Sequence, residues 1–153
     1  MLGLNLNNGT VSATASWAPS INTWYHLAVC RDSSNIRFFV DGVQIGTNTA
    51  NTTDISNSSQ DLRLGSSNDG GSPTSSSNGH MDSFRFTKGV ARYTSNFTEP
   101  VTTKDSNHVL ILEGTESDLS DSAHSLSFNG NVTTLTKTAG HSMSFDGNDY
   151  ITI

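Results

Sequence analysis

Apolar side chains recur at every second position through the first third of the chain. The run is Trp24-Tyr25-His26-Leu27-Ala28-Val29, then Ile36-Arg37-Phe38-Phe39-Val40, then Val43-Gln44-Ile45. A period of two marks half-buried strands, so the segment predicts strand, turn, strand, tight turn, strand. Tyr25, Leu27 and Val29 fall on one side of the first strand, and His26, Ala28 and Cys30 on the other. Phe38 and Val40 share a side of the second. Asp41-Gly42 predicts a two-residue hairpin, because both central residues of a type I′ turn need φ > 0.

The same alternation appears at Leu2 to Leu6, where Asn7-Asn8-Gly9 would close a hairpin into residues 10–16. Trp17-Ala18-Pro19-Ser20 reads as a connector. Residues 48–60 read as a polar loop, Asp61 to Gly65 as a short strand stopped by glycine, and Ser66 to Gly79 as a surface loop. His80 to Phe86 then predicts one strand, with Asp82, Phe84 and Phe86 on a common face. Further apolar stretches follow at Val109 to Leu112, Leu126 to Phe128 and Ser142 to Ile153.

Composition narrows the class. Only 33% of the 153 residues are hydrophobic and 14% are charged, which on its own would suit a disordered chain. Seven Phe, three Tyr and two Trp placed inside alternating runs argue instead for many short strands joined by Asn, Gly and Ser turns. The expectation is one all-β fold. A net charge of −6 argues against a nucleic-acid partner, since phosphate neutralisation needs clustered cations. No apolar run approaches the roughly 18 residues of a membrane helix. The first eight residues show neither a basic n-region nor an apolar core, so the expectation is a chain that works inside the cell that makes it, leaves by another route such as lysis, or has had a signal trimmed. Cys30 is the single cysteine and reads as a buried, inert thiol. Five Asn-x-Ser/Thr sequons, at Asn8, Asn51, Asn57, Asn96 and Asn131, are expected in a chain this rich in those residues.

Two blocks carry a resemblance. The first is W-Y-H-L-A-V-x-R-D followed by I-R-F-F-V-D-G-V-Q-I-G at 24–46. The second is H-M-D-S-F-R-F running into T-K-G-V-A-R-Y-T-S-N-F-T-E-P at 80–100. Together they resemble the central meander and closing tail of laminin-G-like, concanavalin A-like lectin-glucanase modules, in the version found in bacteriophage virion proteins. The resemblance implies a jelly-roll β-sandwich of two antiparallel sheets. Residues 105–153 resemble the opening of such a module, with S-M-S-F-D-G-N-D-Y-I-T-I at the end, yet they come after the tail. The organisation expected is therefore 1–104 as central and closing strands and 105–153 as displaced opening strands. These would complete the sandwich in the same chain or in a neighbouring subunit.

Catalysis finds little support. Glycoside hydrolysis needs two carboxylates about 5–5.5 Å or about 6.5–9.5 Å apart. The three glutamates are Glu99, Glu113 and Glu116, and the last two face opposite ways on a strand. The five histidines are dispersed, with no G-x-S-x-G elbow beside any of them. No enzyme is expected. Asp82 on an apolar strand face is costly without a cation, an arginine or backbone amides around it. The resemblance implies a rim calcium ion held by Asp82, Asp146 and Asp149, with oxygen ligands suited to Ca²⁺. The alternative is that Asp82 caps the 145–149 turn or pairs with Arg85 or Arg92. Sugar binding, which the resemblance also implies, would use Trp17 and the loop carrying Asn68 and Asp69.

Two functional expectations remain open. One is a non-catalytic structural protein of a phage virion (capsid decoration, fibre or tail appendage), a homo-oligomer whose partners are other virion proteins or copies of itself, with a face for a cell-surface glycan. The other is a carbohydrate-binding module of a secreted bacterial protein. Both place it on a virion or outside the cell, without nucleic acid or membrane insertion.

Overall fold

The Asp41-Gly42 pair turns the chain as its residue types require, with φ of 49° and 79°. In the computed structural model, residues 1–6, 11–54, 61–68, 73–114, 117–137 and 140–153 are described. Among them every regular element is a strand, and no helix is long and apolar enough to cross a membrane. The strands fall into two contact units, Met1–Ser58 with Gly89–Thr103, and Ser59–Lys88 with Lys104–Ile153.

In the first unit, β1 (Leu2–Leu6) and β2 (Val11–Ala15) form an antiparallel hairpin in which Leu2 faces Ala15 and Leu6 faces Val11. The Asn7-Asn8-Gly9 turn lies outside the described residues. β3 (Leu27–Arg31), β4 (Asn35–Val40) and β5 (Val43–Ala50) make an antiparallel meander. β3 begins at Leu27 rather than Trp24, because Asp41 grips His26 on both backbone groups. Its carboxylate accepts the His26 amide at 2.8 Å, and its own amide donates to the His26 carbonyl at 2.9 Å. β4 is the middle strand, and it buries side chains on both faces. Ile36 and Phe38 pack with Ala13, Ala15, Leu2, Leu4 and Ile45. Phe39, on the other face, is fully buried among aromatic rings. Leu27 and Val29 share the Phe38 face but lie on a flanking strand, so they stay 45% and 40% exposed.

The second unit holds β6 (Arg63–Leu64), β7 (Ser66–Asn68), β8 (Pro73–Ser76), β9 (Asn78–Met81), β10 (Phe84–Thr87), β11 (His108–Leu112), β12 (Ser127–Asn129), β13 (Thr133–Lys137), β14 (Gly140–Asp146) and β15 (Tyr150–Thr152). Its sheets run β12-β15-β6, β13-β14-β9, β10-β11 and β7-β8. Strands after residue 104 thus pair within the chain with β6, β9 and β10, and unit two draws strands from both sides of the expected division at 104. Leu64, Leu110, Leu112, Met143, Phe145 and Ile151 form its core. Gly65 (φ 89°) lies against the Phe145 ring, where a Cβ would sit 2.5 Å away.

Two expectations fail here. Ser66 to Gly79 is not all loop, because β7 and β8 pair there and β9 begins there. Ser and Thr strands hide their period because both faces are polar. His80 to Phe86 is not one strand either. Ser83 adopts φ 52° and breaks it into β9 and β10, so Asp82 shares no strand face with Phe84 and Phe86.

Candidate functional site

Loop 16–26, between β2 and β3, gathers three aromatic side chains. Trp17 meets Tyr25 edge-on, with ring centroids 5.1 Å apart and planes at 88°. The Tyr25 hydroxyl accepts the Ser20 amide at 3.0 Å, which closes the loop and lowers the phenol pKa. The Thr23 hydroxyl donates to the Ile21 carbonyl at 3.2 Å, and Asn22 takes the left-handed conformation its residue type tolerates, with φ 55°. The terminal amine of Met1 donates to the Trp17 carbonyl at 2.7 Å. A shallow, open cleft lined by Met1, Ser16, Trp17 and Ala18 borders the Trp17 ring. Trp24 remains 57% exposed on the same loop. Flat apolar rings beside hydroxyls and amides can take the C–H face of a sugar while bonding its hydroxyls. Trp17 was expected here. Trp24 was missed because the alternation assigned it to the strand.

The Thr87-to-Pro100 block has a structural job. Tyr93 and Phe97 stack at 3.6 Å with planes 13° apart, and both reach Phe39, at 6.1 and 5.6 Å. His26 meets Phe97 edge-on at 5.5 Å. The Phe97 amide donates to the Gly42 carbonyl at 2.9 Å, and the Asn96 side-chain oxygen accepts the Gln44 amide at 2.9 Å. A Cβ at Gly42 would stand 2.0 Å from the Phe97 carbonyl oxygen. The block therefore buckles the segment onto the β4–β5 hairpin. Cys30 is buried beneath it, and burial pushes its thiol pKa up.

Of the three aspartates expected at a calcium site, Asp146 and Asp149 lie together and Asp82 stands apart. Asp146 lies opposite Asn78 in the β14–β9 register, whereas Asp82 follows Met81 at the far end of that pairing. The offset of four positions is roughly 13 Å of strand. Asp149 is fully buried, and amides occupy both its oxygens, Asn131 at 2.7 Å and Asp146 at 2.9 Å. Asp149 caps the 145–149 turn, and Arg85 pairs with Glu113. Among the described residues no three His, Cys, Asp or Glu side chains cluster as a metal site would. Asn68 ends β7, and Asp69 lies outside the described residues.

Glu113 and Asp118 are likewise committed to structure. Glu113 is held by Arg85 and by the Ser83 hydroxyl at 2.9 Å. Glu116 lies outside the described residues. Burial alone would raise the Asp118 pKa. The amides of Ile111, His124 and Ser120, at 3.0, 2.9 and 2.8 Å, overcome it and hold the carboxyl well below the usual range. Ser120 and His124 both contact Asp118, at 2.8 Å each, but no hydrogen bond joins Ser120 to the His124 ring. The buried Ser120 hydroxyl lies within 3.1 Å of the Val109 carbonyl. The trio clamps the 118–124 loop onto β11.

A family model described as the concanavalin A-like lectin/glucanases superfamily matches residues 2–95, more than half of the chain. The chain belongs to that superfamily, and its fold class is the all-β jelly-roll sandwich. The superfamily is named for lectins and glucanases. No curated protein and no solved structure matches the chain.

Proposed function

We propose that the protein is a non-catalytic glycan-binding module carried as a structural component of a phage virion. The observation that carries the glycan reading is the 16–26 loop, which presents Trp24 and the Trp17–Tyr25 pair in a member of a lectin/glucanase superfamily. The virion setting is supported by the Thr87-to-Pro100 block, which resembles phage versions of the module. Self-association into a homo-oligomer on the particle belongs to the same reading. It works without a metal, in keeping with amide occupation of Asp149 and the separation of Asp82 from Asp146. It performs no hydrolysis, in keeping with the engagement of Glu113 by Arg85 and Ser83.

Retention on an array of bacterial surface glycans is the direct test, with Trp24→Ala beside the wild type. Loss of one aromatic face is expected to weaken binding about tenfold. The melting temperature should hardly change, because Trp24 is exposed. Binding should also survive EDTA. An array on which wild type and variant are retained alike would remove the loop from the reading.

A further inference from the structure

The meander of the first unit has two edges, and the chain guards them unequally. On the β5 side the tail covers the edge. The Asn96 side-chain oxygen accepts the Gln44 amide at 2.9 Å, beside the bond from the Phe97 amide to the Gly42 carbonyl. β3 forms the other edge. The Asp41 amide donates to the His26 carbonyl at 2.9 Å, and the Asp32 amide to the Asn35 carbonyl at 3.1 Å. Hydrogen-bonded rungs alternate in an antiparallel pair, so the bonded rungs are 26–41, 28–39, 30–37 and 32–35. The amides and carbonyls of Leu27, Val29 and Arg31 therefore point away from β4. Among the described residues no backbone group pairs with them.

An open edge of this kind is ordinarily blunted by lysine, proline, a bulge or an inward charge. β3 carries none of these. It reads Leu-Ala-Val-Cys-Arg, its register with β4 is unbroken, and its one charge, Arg31, is turned to the Thr53 carbonyl. Leu27 and Val29 stand exposed beside the edge, on the Phe38 face. The β1–β2 hairpin covers Ile36, Phe38 and Ile45 on that face but not these two.

The strand is also self-complementary. About a two-fold axis at Val29, Leu27 faces the partner's Arg31, Val29 faces the partner's Val29, and Arg31 faces the partner's Leu27. All of these residues direct their amides and carbonyls outward, so every donor meets an acceptor. An axis at Ala28 or Cys30 would push one of them past the end of the partner strand. Asp32 falls opposite the partner's His26, so no like charges meet across the seam.

We infer that β3 is a homodimer seam, where a second copy of this chain adds its own β3 antiparallel about Val29. The inference rests on the self-association included in the proposed function and gives it a surface. The seam joins two meanders into one sheet and sets Leu27 and Val29 of both copies side by side. A two-fold edge closes on itself, so the product is a dimer. Because the 16–26 loop leads directly into β3, the two loops lie at opposite ends of the paired strands. One dimer then offers both to a glycan surface.

Sedimentation of the full chain over a concentration series is the test. The wild type should reach the mass of two chains. Val29→Lys sets like charges opposite each other at the axis and should weaken the dimer roughly tenfold or more. Its melting temperature should stay near that of the wild type, because Val29 is exposed. Val29→Pro removes an amide that β4 does not use, as proline on an edge strand can, and should also weaken the dimer. Val43→Lys places the same charge on the same face, two strands away, and should leave the dimer intact. Dissociation by Val43→Lys equal to that by Val29→Lys would overturn the seam. An oligomer that both Val29 variants leave unchanged would discard the seam alone. A wild type that stays one chain throughout would discard self-association as well.

Discussion

The two units solve one problem with different chemistry. Each must pin a long irregular segment onto a sheet. The first unit does it with rings: Tyr93 and Phe97 stack on each other and cover Phe39. The second does it with carboxylates. Asp149 ties the turn after β12 to the turn after β14 through two amides. Asp118 ties the 118–124 loop to β11 through the Ile111 amide. Stacked rings gain from buried area and are indifferent to pH. The Asp118 carboxylate, which accepts several amides, contributes while it is ionised. The ring cluster of the first unit should therefore be sensitive to lost volume, and the Asp118 loop of the second to acid.

Phe39→Ala should produce the largest effect. It empties the centre of the ring cluster and should cost about 3–5 kcal/mol, read by denaturant unfolding. A cost no larger than that of a surface substitution would mean the rings do not hold the tail. Asp118→Asn comes next. It keeps the shape but turns a side-chain donor toward backbone donors, at about 2–3 kcal/mol. Its pH dependence sharpens the contrast. The folded Asp118 pKa lies below the unfolded value of about 3.9. Its contribution is thus complete above that pH and is lost as the pH falls toward and through the folded value. Melting followed into acid should show this loss in the wild type and a flatter profile in Asp118→Asn. Identical slopes would break the comparison. The smallest effect concerns Cys30. Burial under the Tyr93 segment and a raised thiol pKa should keep it unreactive toward a thiol reagent until the protein unfolds, and rapid labelling at neutral pH would show that segment open.

The candidate site was half legible. Trp17 was visible because a tryptophan beside Ala-Pro-Ser falls outside any alternating run. Trp24 was not, because its neighbours continue the period, and only the Asp41 grip on His26 moves the strand start to Leu27. The calcium trio was implied by the resemblance rather than by spacing, and the β14–β9 register sets Asp82 four positions from the partner of Asp146.

Residue types alone determined the strands of the central meander and the type I′ turn at Asp41-Gly42, because alternation and φ > 0 are properties of neighbouring residues. They also determined the all-β class, through aromatic runs separated by Asn, Gly and Ser. Tertiary structure decided which strands meet. β6 lies against β15 and β9 against β14, across more than sixty residues of chain. It also decided which carboxylate caps which turn and which face of each strand is covered. Such choices depend on register between distant segments, and a period of two reads the same in every register.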